Sequence, residues 1–180
     1  MTTLKEALLR EYDLEMEYVR RHLERVPEGK GDWKPAEKSM ALGWLSGFLA
    51  ILPSWSVSIL DTDSYDVNPP TPTQTPSIPK NNSELLALFD KNVSEGRAAL
   101  ARFDDATLEK PWSLKAAGKT LWSQPRWLVL KTFFLNHCVH HRAQLGVYLR
   151  LLGIPVPAVY NDSADDKGGM FIDVPQGARA

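Results

Sequence analysis

The sequence predicts an all-α fold, a four-helix bundle with a long connection between its second and third helices and a small hairpin before its fourth. Three observations lead there. Four stretches of about 20 to 30 residues read as helices, three with apolar residues at three- and four-residue steps that make one buried face and one apolar nearly all round. Between the second and third lies a proline-dense segment in which no core pattern survives. The 180 residues are 43% hydrophobic and 24% charged, enough for one sizeable core and a single domain over residues 1–180.

The first helix opens on Thr3 and Glu6, a capping-box pair, and its apolar face is Leu8, Leu9, Tyr12, Met16, Val19 and Leu23. It is expected to run to about Val26, where Pro27, Gly29 and Gly31 stop it. Ser39 is the expected cap of a second helix, MALGWLSGFLAILPSWSVSIL, apolar nearly all round and so the most buried, with a kink or break at Leu52 before Pro53. Residues 61–82, with Pro69, Pro70, Pro72, Pro76 and Pro79, read as a surface connection without a packed element. A third helix follows from Ser83 to about Phe103, burying Leu85, Leu88, Phe89, Val93, Ala99 and Leu100. In PWSLKAAGKTLW two short runs flank Ala117-Gly118, a small hairpin. Ser123 is expected to cap the fourth helix, with Pro125 in its first turn, and Gly153, Pro155 and Pro157 end it after Leu152. Residues from about 158 to 180 read as an extended tail.

A net charge of −1, with Lys and Arg spread along the chain, offers no basic surface to displace counterions, so nucleic acid and anionic membranes are not expected partners. The N-terminus lacks a signal-peptide apolar core, and the longest apolar run, Met40 to Leu52, is shorter than the ~20 residues that span a bilayer. Cys138 is the only cysteine, so no internal disulfide forms. A cytoplasmic protein is the expectation. There is no Gly-rich phosphate loop, no G-x-S-x-G and no CxxC.

Three of the four histidines fall in LNHCVHHRAQLGVYLRLLG. On a helix His137 and His141, four residues apart, share one face and can converge on one cation; His140 is rotated by ~60° or more and is the weaker candidate. Leu130, Phe134, Leu145, Tyr148 and Leu152 continue that side, so the pair faces the bundle or its edge. Imidazole suits zinc, nickel, iron or copper, and two stacked rings make half a site. The alternative is a pair of buried histidines bonded to carbonyls or carboxylates.

The segment NHCVHHRAQLGVYLRLLGIPVP resembles the hallmark of the DinB/YfiT-like family of four-helix-bundle proteins, and DWKPAEKSMALGWLSGFLAILPSW, PWSLKAAGKTLW and VPAVYNDSADD are similar to other parts of it in the same order. The resemblance implies a three-histidine metal site, two ligands on the last helix and one on the second, and a thiol-dependent transferase or a hydrolase. Carried over, the last-helix pair is His137 and His141, with zinc or nickel the implied metal. The second-helix position of the L-x-x-H-L pattern falls on Phe48, which cannot ligate, and PAEKS has Ala36 where a histidine is frequent. The implied site therefore has two histidines, to be completed by water or a carboxylate. Asp13, Glu17 and Asp90 are the candidates, with His22 a fallback that reads as a solvated or capping residue near its helix end. The resemblance also implies a homodimer.

Cys138 points ~100° from His137 and reads as a small buried hydrophobe rather than a nucleophile. Arg142 and Gln144 match the family's HR-x-QL pattern; Arg142 is expected to pair with an acid across the bundle, the alternative being contact with a bound anion, and Gln144 to support packing or a ligand. Trp33, Trp44, Trp55, Trp112, Trp122 and Trp127 suit either core and dimer contacts or a ligand cavity. Trp44 and Phe48 share a face, so Phe48 closes space that a ligand would fill. Two functions follow: a metal-dependent enzyme acting on a small molecule at His137 and His141, or a non-catalytic dimeric bundle that binds a small ligand or partner.

Overall fold

The computed structural model describes residues 2–69 and 79–168. Helix α1 (Leu4–Leu23) starts as its capping box dictates: Thr3 Oγ1 accepts the Glu6 N–H at 3.1 Å and Glu6 Oε2 accepts that of Thr3 at 3.0 Å. The Asp105 carboxylate takes two further orphan donors, the N–H groups of Leu4 and Lys5. The helix ends at Leu23 rather than Val26, because the Arg25 and Val26 amides tighten onto the carbonyls of His22 and Leu23.

The apolar second segment is two helices, α2 (Leu42–Ile51) and α3 (Ser54–Asp61), set 41° apart by the break before Pro53. Ser39 does not cap α2. Ala41 precedes it, and the loop carbonyls of Trp33 and Gly31 accept the Leu42 and Gly43 amides. Leu42, Leu45, Leu49, Ala50 and Leu52 are fully buried, each such leucine contributing roughly 1.5–3 kcal/mol. No single helix among the described residues is long and apolar enough to cross a membrane.

Helix α4 (Asn82–Arg102) is capped by Asn81, whose side chain accepts the Glu84 N–H, and packs against α1, α2 and α3. After a turn of helix, α5 (Asp105–Leu108), come two antiparallel strands, and the final rod is assembled from α6 (Arg126–Val129), a π-helical segment (Leu130–Leu135) and α7 (Asn136–Leu151), which lies on α1 and α2. Gly153, at φ 72°, terminates it: the Ile154 amide reaches back to the Leu149 carbonyl.

The all-α expectation is corrected by a three-stranded mixed sheet. Strand β1 (Ser64–Asp66) lies in the connection expected to hold no element and pairs parallel with β2 (Pro111–Ala116), which pairs antiparallel with β3 (Lys119–Pro125). Residues 70–78 of that connection lie outside the described residues. Strand β3 also consumes Ser123, the expected cap of the last helix; its hydroxyl instead meets Ser113 and the Trp112 carbonyl. Buried Arg126 fastens sheet to bundle, donating to the carbonyls of Ile59, Thr62 and Pro111 and to Asp63. The described part of the tail is docked rather than free: Ala158 is buried, and the Asp166 carboxylate accepts its amide. Residues 169–180 lie outside the described residues.

Candidate metal centre

Helix α7 begins one residue before His137, directly after the π-helical turn that carries Phe133. The spacing of four brings His137 and His141 together as expected, ring centroids 4.6 Å apart, with His141 buried and His137 half-buried. His140 is exposed and meets His141 only edge-on.

The proton positions on the pair follow from its partners. Nδ1 of His141 lies 2.7 Å from Gln144 Oε1, an oxygen that can only accept, so Nδ1 carries the proton. The Phe133 carbonyl favours the protonated form of the other ring. A neutral imidazole has one N–H, so His141 Nε2 presents a lone pair, and His137 Nε2 lies 2.8 Å from it. That lone pair accepts either an N–H on His137 Nε2 or a cation set between the two nitrogens. Burial, reinforced by the charge of His140, holds both imidazoles below the ordinary histidine value and so favours the uncharged pair.

Two nitrogens each ~2.1 Å from one ion are ~3.0 Å apart at a right angle and ~3.4 Å apart at the tetrahedral angle. The observed separation is near the first. For His141, an outward Nε2 with Nδ1–H tied to an oxygen acceptor is also the usual arrangement of a metal-ligating histidine.

No third ligand joins them among the described residues. Among the described residues no group of three or more His, Cys, Asp and Glu side chains is placed to hold a metal ion. Asp13 is engaged with Arg97 and Asp90 with Arg20, whose charge Glu17 also feels. His22 is neither solvated nor a ligand of this pair: it is 2% exposed, and its Nδ1–H donates to the Tyr18 carbonyl. Ala36 is exposed in the loop before α2. Phe48 stands where the resemblance puts the third histidine, its ring edge-on to both imidazoles at centroid distances of 5.5 and 5.1 Å. Trp44 stacks on Phe48, and Trp55 meets both Phe48 and His137. Trp55 also stacks on Phe133, and Trp112 and Trp122 extend the aromatic wall beyond it. The donor set therefore fits two positions of a coordination shell, and the remainder falls to water or a ligand.

Cys138 faces away into the core, and burial raises its thiol far above the ordinary value, which removes it as a nucleophile. Arg142 pairs with Glu15 across the bundle and donates to the Tyr160 hydroxyl at 2.9 Å. Sequence reasoning missed Glu15 and Tyr160. Glu15 did carry a signal, being an acid on the apolar stripe between Tyr12 and Val19.

The sequence model of the DinB family matches residues 1–168. Among solved structures, a DinB-like protein from Bacillus cereus is 20% identical, with a TM-score of 0.66 over 86% of this chain and 97% of that one. A DinB-like protein from Bacillus subtilis is 20% identical, with a TM-score of 0.59 over 82% of this chain and 92% of that one. No curated protein matches significantly.

Proposed function

Because the chain belongs to the DinB family, we propose that His137 and His141 form a two-imidazole site for one divalent transition metal, zinc or nickel, in an enzyme of transferase or hydrolase type acting on a small molecule. The observation that carries this reading is the His141 Nε2 lone pair, fixed by Gln144 at Nδ1, with His137 Nε2 2.8 Å from it. Bound there, such an ion would supply a Lewis acid able to polarise a substrate oxygen or sulfur. The chain's own part is to fix geometry. Gln144 sets the His141 tautomer, while Phe48 and Trp55 pack against the rings. A homodimer is proposed with it, on the family resemblance alone.

A second reading is favoured by Phe48, whose ring occupies the place of a third ligand. In it the histidines are polar points in an aromatic wall that binds a small ligand without metal. Calorimetric titration of untagged protein with zinc and with nickel separates the two. One ion per chain, lost in His137→Ala/His141→Ala, supports the first. No binding of either ion leaves the second. Phe48→His, adding a third nitrogen, is expected to tighten metal binding by about tenfold or more; an unchanged affinity would place Phe48 outside the shell.

A further inference from the structure

A groove of about 390 Å³ lies on the other side of α7, between that helix and the docked tail. Ala143, Gly146, Val147 and Leu151 form one wall, and Val156, Pro157 and Val159 the other. Its floor holds His22, which is 2% exposed. The Nδ1–H of His22 is committed to the Tyr18 carbonyl at 2.8 Å, so Nε2 is an acceptor, and among the described residues it has no partner. Gly146 opens the way to it: a Cβ there would stand 3.5 Å from Nε2 and 3.6 Å from Val156 Cγ1. Among the described residues Trp112 Nε1 alone is a buried side-chain polar atom without a partner, so His22 Nε2 is open to the groove, where a ligand's donor can reach it.

The groove is built in advance. Asp165 accepts the Val156 amide and Asp166 that of Ala158, while Ser163 donates to the Val156 carbonyl. Arg150, the one charged group among the described residues of the lining, is engaged by Asp165 at 2.6 Å. Among the described residues no unpaired charge lines the groove to hold an ionic ligand, and the volume falls within the range of small-molecule sites, roughly 300–1,000 Å³.

We propose that this groove binds a neutral, largely apolar small molecule carrying one hydroxyl donor, of alcohol or phenol type, whose O–H is accepted by His22 Nε2. Burial, with Arg142 and Arg21 adding to it, keeps His22 unprotonated down to about 4, so Nε2 is an acceptor throughout the neutral range.

The test uses the full chain with 4-propylphenol and, as a partner lacking the hydroxyl, propylbenzene, followed by amide shifts in NMR. The phenol is expected to shift Gly146, Val147 and Leu151 saturably in the millimolar range, and propylbenzene to bind about tenfold more weakly. His22→Phe should erase that preference. Because His22→Phe alters a buried residue, Gly146→Ala supplies the second arm: its methyl meets only ordinary contacts and narrows the approach to Nε2, so the fold persists and the phenol weakens several-fold. Equal affinity for the two probes, no saturable shift, or full phenol affinity in Gly146→Ala overturns the proposal. Concentration-dependent self-association that covers Val147 and Leu151 overturns it as well, assigning the groove to a second copy of the chain.

Discussion

Gly96 and Gly146 are both glycines inside long helices, and their surroundings give alanine opposite signs. At Gly96 a Cβ would collide with Ser56 Oγ and lie 2.5 Å from the Tyr12 hydroxyl and 2.8 Å from the Pro53 carbonyl oxygen, where α1, α3 and α4 meet. Backbone cannot step aside, so Gly96→Ala is expected to cost about 2–3 kcal/mol in chemical denaturation despite its better helix propensity. At Gly146 the same methyl meets nothing closer than 3.5 Å, and the propensity gain of up to about 1 kcal/mol should appear as added stability. His22 supplies a pH dependence whose sign is set by burial. Its folded value, about 4, lies below the ordinary 6.5, so between those limits the unfolded chain binds the extra proton. Stability attributable to His22 is therefore complete above pH 6.5 and declines as pH falls to 4, by about 3 kcal/mol. His137 and His141, also lowered by burial, act in the same direction, whereas Asp165 and Asp166, held low by Arg150 and by the Ala158 amide respectively, lose their contribution only below the usual carboxylate value. Denaturation midpoints of His22→Leu measured across pH 4 to 6.5 should show a shallower slope than those of the parent. Equal slopes would mean that His22 is open to solvent.

At the scale of elements, the hairpin turn shows where a local signal is complete and where it is not. Ala117 and Gly118 both have positive φ, 48° and 77°, the pattern of a two-residue turn matched to the twist of its strands. Glycine takes that shape freely and alanine does not, so Ala117→Asn is expected to raise stability by about 0.5–1 kcal/mol, read by thermal unfolding. The turn is further held by Asp66, whose carboxylate accepts the Ala117 and Gly118 amides and is held below its usual value by the Gly118 bond first. Those bonds come from β1, the strand the sequence did not announce. Three residues, Ser64–Asp66, are too few to express a period, and their pairing with β2 joins positions about fifty apart. The capping box of α1, the break at Pro53 and the stop at Gly153 were legible because each is a local backbone constraint written in two or three residue types. The π-helical turn was not: an i→i+5 segment needs no special residue, yet it sets the bearing of Phe133 and His137.

Over the whole molecule, the histidine pair was legible from spacing, but its surroundings were not, since they are assembled from α2, α3, the sheet and the π turn together. The same holds for the tail, which reads as extended in the sequence and is seated by contacts that no periodicity reveals. Arg21 bonds the Ala158 carbonyl and pairs with Asp166, Arg150 pairs with Asp165, and the Tyr160 hydroxyl donates to Glu15 at 2.6 Å. At the centre, the Glu15 and Arg142 side chains are 5% and 4% exposed, and the guanidinium lies over the rings of Tyr18 and Tyr160. A buried ion pair contributes little net stability when intact, because desolvation offsets attraction; removing one member leaves the other charged and unpaired. Arg142→Met is therefore expected to cost about 3–5 kcal/mol, and Glu15→Leu a similar amount, while Glu15→Leu/Arg142→Met recovers most of the loss. Tyr160→Phe removes only the hydroxyl bonds, for about 1.5–3 kcal/mol. The double variant should regain its denaturation midpoint and still yield its tail to limited proteolysis faster than the parent, because the Tyr160 hydroxyl has lost both partners. If the double variant were as unstable as either single one, packing of these side chains rather than their charge would be holding α1, α7 and the tail together.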